Sequence, residues 1–178
     1  MKGFEVKLCN KNDCSTPAYE PTYWNYTYYI RISNNCYNYA NNRRTDTIAQ
    51  PGVASGQKYT ATTCDAIKIA ALNDGLEWVG ENNPNPPTDG KALLSLVIKT
   101  NYPKDYHWFR QDTVTDIDGQ RFWSSKNGGD YVIQLIRNGK SIYPKDATVT
   151  ERGGYDIFCG YYKTCSNQNQ GEGQANIR

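Results

Sequence analysis

Hydrophobic positions recur with two different periods along this chain, and the period changes midway. Phe4, Val6 and Leu8 alternate with polar residues, the two-residue period of a strand, and a polar loop with Pro17 and Pro21 completes residues 1–22. Thr27-Tyr28-Tyr29-Ile30-Arg31-Ile32 is aromatic and β-branched and reads as extended, stopping at the capping and turn residues Ser33-Asn34-Asn35. Cys36 to Arg44 predicts a short helix, and Pro51-Gly52 with Ser55-Gly56 a loop. The clearest helix runs from Thr63 to Gly75. Thr62 or Thr63 caps its start, Ile67, Ala70 and Ala71 supply an apolar stripe with Ile69 and Leu72, and Gly75 closes it.

A Pro- and Asn-rich loop from Asn82 to Gly90 separates this part from a run of strands. Lys91–Thr100 is almost continuously apolar, as in a strand buried on both faces. His107–Gln111, Arg121–Ser125 and Tyr131–Arg137 follow, and Asn138-Gly139 predicts a two-residue hairpin turn into Lys140–Tyr143. Tyr155–Tyr162 is the last predicted strand. Helices first and antiparallel strands after predict one α+β domain over residues 1–165, with N-terminal helices packed on a mostly antiparallel sheet. The Asn-, Gln- and Gly-rich residues 166–178 read as a disordered tail.

Composition qualifies this picture in one respect. The mean hydropathy is -0.79, yet aromatics make up 13% of the 178 residues and 15 of them are tyrosine. Tyrosine adds burial area while keeping a polar tip, so a polar chain can still build a core. The net charge of +2, without a basic stripe, gives nucleic acid little to hold. No apolar run is long enough to span a membrane, and no secretory leader is visible behind Met1. Nothing in the pattern calls for a cofactor or fixes an oligomeric state. Of six cysteines, Cys9 and Cys14, and Cys159 and Cys165, are close enough in sequence to close short disulfide loops in an exported protein. Zinc would want tight C-x2-C spacing or several His, and the chain has neither, so no metal is expected.

The chain has one histidine, His107, so any imidazole-based proton transfer rests on it. Cys36 stands where an extended run enters a helix, a place that lowers a thiol's pKa and offers N–H groups to an oxyanion. A further donor comes from the amide of Asn34 or Asn35. Cys64 also opens a helix and is a rival nucleophile. Each has a plain structural reading as well: a buried small hydrophobe for the thiols, and a packed ring for His107 between Tyr106 and Trp108.

The stretch Asn35-Cys36-Tyr37-Asn38-Tyr39-Ala40-Asn41-Asn42-Arg43-Arg44 resembles the nucleophile motif of CHAP amidases, a papain-like group of cysteine- and histidine-dependent hydrolases. The likeness continues through Ala71–Gly75, the loop Pro86–Gly90, an apolar strand and a strand led by His107, covering roughly residues 30–130. Asn35 stands where the family carries Gln. The resemblance implies a papain-like fold with Cys36 as nucleophile, His107 as base and an orienting residue on the next strand: Asn127, with Ser125, Asp112 and Asp118 as alternatives. It further implies cleavage of an amide bond in a peptide, a host protein (as for a secreted effector or toxin), peptidoglycan or a glutamine side chain. The reading from another class is a non-catalytic secreted binding or adhesion domain, with structural disulfides and a Tyr/Asn-rich surface that grips a protein or glycan.

Overall fold

The computed structural model describes residues 14–165. The predicted strand at Phe4–Leu8, Cys9 and the tail from Ser166 lie outside the described residues. Seven strands form one antiparallel sheet: β1 (Glu77–Gly80), β2 (Ala92–Lys99), β3 (Asp105–Thr115), β4 (Arg121–Lys126), β5 (Val132–Arg137), β6 (Lys140–Ser141) and β7 (Ile157–Thr164). Their spatial order is β1-β7-β2-β3-β4-β5-β6. Four short helices precede them: α1 (Pro21–Asn25), α2 (Tyr28–Ser33), α3 (Cys36–Ala40) and α4 (Cys64–Asn73).

This corrects the expected α+β, papain-like architecture. Helix is a minor component, and of the four helices α4 alone exceeds six residues. The sheet is the frame, and the helical segments are short pieces laid against it. The local reason is visible at Thr27–Ile32, which the sequence reads as extended. Thr27 instead caps α2 by accepting a hydrogen bond from the Ile30 N–H, and Ile30 alone of that helix is buried. β1 is absent from the expectation because four residues carry no readable period. Its Trp78 ring lies on Gly160, where a Cβ would come within 2.2 Å of the indole.

The sheet buries both faces. Every residue of β2 from Ala92 to Ile98 is buried. Leu94, Leu96 and Ile98 pack with Tyr106, Trp108 and Tyr162 under Tyr37, Ile67 and Ala71 of the helices. Leu93 and Val97 pack on the opposite face with Phe109, Trp123, Leu135 and Ile142. At the β5–β6 turn, Asn138 and Gly139 both adopt positive φ, as a tight primed hairpin requires.

Two disulfides staple the frame, and neither is one of the short loops the spacing suggested. Cys14 bonds Cys165 and Cys64 bonds Cys159, closing separations of 151 and 95 residues. The second ties the start of α4 to β7.

A buried ion pair ties the N-terminal segment to the sheet. Arg110 on β3 has no solvent exposure. Its Nε and Nη2 donate to Asp112 Oδ1 at 3.1 and 3.0 Å, and its Nη1 donates to the Tyr39 carbonyl (3.0 Å) and Asn42 Oδ1 (3.1 Å). Nη2 also reaches the Ala18 carbonyl and the Tyr39 hydroxyl. Asp112 Oδ2 in turn accepts from Ser124 Oγ, which shares a 2.6 Å hydrogen bond with Tyr39. Truncating one member leaves the other charge buried and unpaired. Arg110→Met is therefore expected to lower unfolding free energy by about 3–5 kcal/mol in urea titrations. An effect below about 1 kcal/mol would refute this role.

The long disulfides act on the unfolded chain. Closing a loop of about 100 residues removes chain entropy worth roughly 4–5 kcal/mol. The Cys64→Ala/Cys159→Ala variant is thus expected to melt about 8–20 °C lower by calorimetry, at roughly 2–4 °C per kcal/mol for a domain of this size.

Candidate functional site

Cys36 opens α3, and the local sequence explains its position. Asn35 caps the helix: its Oδ1 accepts from the Tyr37 and Asn38 N–H groups at 3.1 Å, and Asn38 Oδ1 accepts from the Asn35 N–H in return. Asn35 Nδ2 donates to the Ala49 carbonyl. The thiol is buried beside Tyr106 and Trp108, and Cys36 is the free cysteine among the described residues. Burial pushes its pKa up to about 12, against the opposing pull of the Trp108 N–H. The helix start therefore does not yield a thiolate at neutral pH, because desolvation outweighs a five-residue helix whose next two N–H groups already serve Asn35.

Strand alternation separates His107 from this cluster. Tyr106 and Trp108 face the helices, whereas His107 faces the other way. Its ring lies 4.9 Å from Phe109, edge to face, and 5.1 Å from Tyr155, nearly parallel. Nδ1 has no hydrogen-bond partner, and burial lowers the pKa to about 3, so the imidazole is neutral at pH 7.

The two residues meet at the end of the sheet, where β3 parts from the turn after β4. A cavity of about 180 Å³ there is lined by Asn35, Cys36, His107 and Asn127, together with Asp105 and Tyr155. Asn127 is exposed, and its Oδ1 lies 3.5 Å from the Tyr155 hydroxyl. Asn34 is not part of this cavity. Its amide nitrogen donates to the Ile30 carbonyl and Asp46 Oδ1, which uses both hydrogens. Ser125 lines a separate cavity of about 190 Å³ on the far side of His107. Asp112 is held by Arg110, Asp118 pairs with Lys140 on the surface at 2.8 Å, and Cys64 is in a disulfide.

Lys126, unremarked in the sequence, is buried beneath α2. Its ammonium donates to the carbonyls of Arg31, Asn34 and Gly128. A cation here satisfies carbonyls at the C-terminal end of α2 that have no helical partner. Burial first, and Arg31 second, lower its pKa to about 8. A lysine at the end of a strand, before Asn127-Gly128-Gly129, carries no periodic signal that sequence reading could use.

The surface over Lys126 is aromatic. Tyr26, Tyr28, Tyr29, Ile32 and Tyr131 are all exposed. The Arg31 guanidinium lies 4.3 Å from the Tyr131 ring centre and 5.5 Å from that of Tyr28, and it donates to the Gly129 carbonyl. A larger cavity, about 430 Å³, opens at the β1 edge between Trp78, Pro86, Pro87 and Lys163, the last paired with Glu77 and Asp89. Among the described residues no cluster of His, Cys, Asp and Glu could hold a metal ion, and no helix is long and apolar enough to cross a membrane.

The depressed pKa of His107 makes stability depend on pH. The unfolded imidazole takes its proton near pH 6.5, whereas the folded one resists to about 3. Stability is therefore full above pH 6.5 and is lost as pH falls from about 6.5 to about 3. Between pH 7 and pH 4 this group alone costs about 3 kcal/mol. Urea titrations at both pH values should show His107→Phe losing that much less than the wild type; equal losses would refute the assignment.

No protein-family model matches the chain, and no solved structure matches it. Over 148 residues it is 36% identical to insoluble matrix shell protein 1 of Ruditapes philippinarum, covering 83% of this chain and 89% of that one. The likeness to CHAP amidases and papain-like hydrolases, and with it the description as a protease, amidase, toxin or effector, is overturned by this match and by the sheet-dominated fold. Identity at this level over nearly the whole of both chains is decisive: the chain belongs to the family of insoluble matrix shell protein 1.

Proposed function

We propose that the protein is a non-catalytic, secreted component of an extracellular matrix, which it joins by gripping an insoluble polysaccharide with its tyrosine-rich face. The observation that carries this reading is the exposed group Tyr26, Tyr28, Tyr29 and Tyr131, of which Tyr28 and Tyr131 bracket Arg31. Soluble domains rarely leave so many large rings in water without a use for them. Flat rings with hydroxyl tips beside a guanidinium suit a ligand that offers both apolar sugar faces and hydroxyls. Two further observations support it. The relative's own name places it in an insoluble shell matrix. Two disulfides suit an oxidising compartment.

Co-sedimentation with chitin and cellulose particles tests the reading. The wild type is expected to pellet with at least one of them. Tyr28→Ser/Tyr131→Ser removes two anchors and is expected to weaken binding about 30-fold, the equivalent of about 2 kcal/mol, with an unchanged melting temperature. Failure of the wild type to pellet with either polymer, or equal binding by the variant, would refute it.

A further inference from the structure

The fold sorts its oxidisable side chains by exposure. Trp24, Trp108 and Trp123 have no solvent exposure, and the Trp78 ring is half-buried, with the Lys68 ammonium 3.7 Å from its centre. The Cys36 thiol is buried and protonated, and the other described cysteines are in disulfides. The chain's only methionine is Met1. All fifteen tyrosines lie within the described residues, and they span the range of exposure, with Tyr19, Tyr23, Tyr59 and Tyr143 half-buried. Tyr37, Tyr39, Tyr106, Tyr155, Tyr161 and Tyr162 are buried, whereas Tyr26, Tyr28, Tyr29, Tyr102 and Tyr131 are 75, 70, 63, 96 and 60% exposed.

We infer that these five exposed tyrosines are sites of oxidative cross-linking, through which separate copies of the chain become covalently joined. Susceptibility to oxidants follows exposure. Among the described residues, a one-electron oxidant arriving from solvent meets phenols and few other oxidisable groups. Each phenol gives up one electron and one proton and becomes a phenoxyl radical. Two radicals on two copies form a carbon–carbon bond between ring positions ortho to the oxygens, and the two ring hydrogens at those carbons shift to the oxygens and restore both phenols. The two electrons and two protons released reduce one hydrogen peroxide to two waters, with a haem peroxidase as catalyst.

Placement favours a network over a dimer. Tyr102 lies in the β2–β3 turn and Tyr131 in the β4–β5 turn, which antiparallel neighbours bring to the same end of the sheet. Tyr26, Tyr28 and Tyr29 join that end because Ile32 of α2 packs on Gly129. Several phenols per copy let each chain bond more than one neighbour. The inference goes beyond polysaccharide binding and stands without it, since it rests on exposure and not on what the rings grip.

Treating the purified full chain with a haem peroxidase and hydrogen peroxide tests this. Expected are dityrosine fluorescence, dimers and larger species that survive reducing denaturing gels, and cross-linked peptides containing the five exposed tyrosines. Replacing all five by Phe is expected to cut the dityrosine yield about ten-fold. Phe keeps the ring and loses the phenol, so this variant should still pellet with polysaccharide if the binding reading holds, which separates the two failures. Cross-links confined to buried tyrosines, a native wild type that stays monomeric while its unfolded form couples, or a folded five-Phe variant that couples as well as wild type would each overturn the inference. Peptide mapping on the wild type decides the matter even if the variant fails to fold.

Discussion

A guanidinium with no solvent exposure must find a partner inside the protein for each of its five N–H donors, and at Arg110 that requirement organises the N-terminal half of the fold. The partners come from four separate pieces of chain: the Ala18 loop, α3, the turn at Asn42 and Asp112 on the same strand. Asn42 meets it by adopting positive φ, which asparagine tolerates better than most residues. Arg110 thus takes the place of a continuous helical layer. Helices of five and six residues cannot hold themselves together by propensity, and here they are pinned one by one to the sheet.

The same burial that makes this node strong holds Cys36 in its thiol form at neutral pH. Desolvation acts on every charge brought inside, but Arg110 has a carboxylate and a full set of acceptors, whereas Cys36 has N–H groups of modest reach and His107 has no hydrogen-bond partner at Nδ1. Both lone groups settle in their neutral forms and pack as hydrophobic matter, Cys36 with Trp108 and His107 with Phe109. Exposure is kept instead for phenols and a guanidinium on the outer surface.

Where the signal was strong and local, it could be read directly. The apolar run Lys91–Thr100, the Asn138-Gly139 turn and the helix capped by Thr63 all appear, as β2, the β5–β6 hairpin and α4. Thr27–Ile32 could not be read, since aromatic and β-branched residues favour strands while the Thr27 cap and the contact of Ile30 favour a helix, and tertiary context decided. Disulfide partners 95 and 151 residues apart leave no local trace. Of the candidate site, Cys36, His107, Asn127 and Asn35 do line one cavity. What the residue order could not convey is that alternation along β3 turns His107 away from the thiol's packing cluster, because the parity of a strand depends on a register that only the assembled sheet sets.

These features converge on durability. In the interior, Arg110 and Lys126 are fully partnered, while the Cys36 thiol and the His107 imidazole are held neutral. Two long cross-links restrain the unfolded chain, and a sheet covered on both faces buries β2 from Ala92 to Ile98. A rigid frame of this kind is useful for presenting a surface whose shape must not change over long times. Rings held in fixed positions lose less conformational freedom on contact with a solid than rings on a mobile loop would. The stiffness of the interior and the aromatic character of the outer face are therefore two parts of one arrangement, in which stability achieved by burial is put to use where the tyrosines meet the solvent.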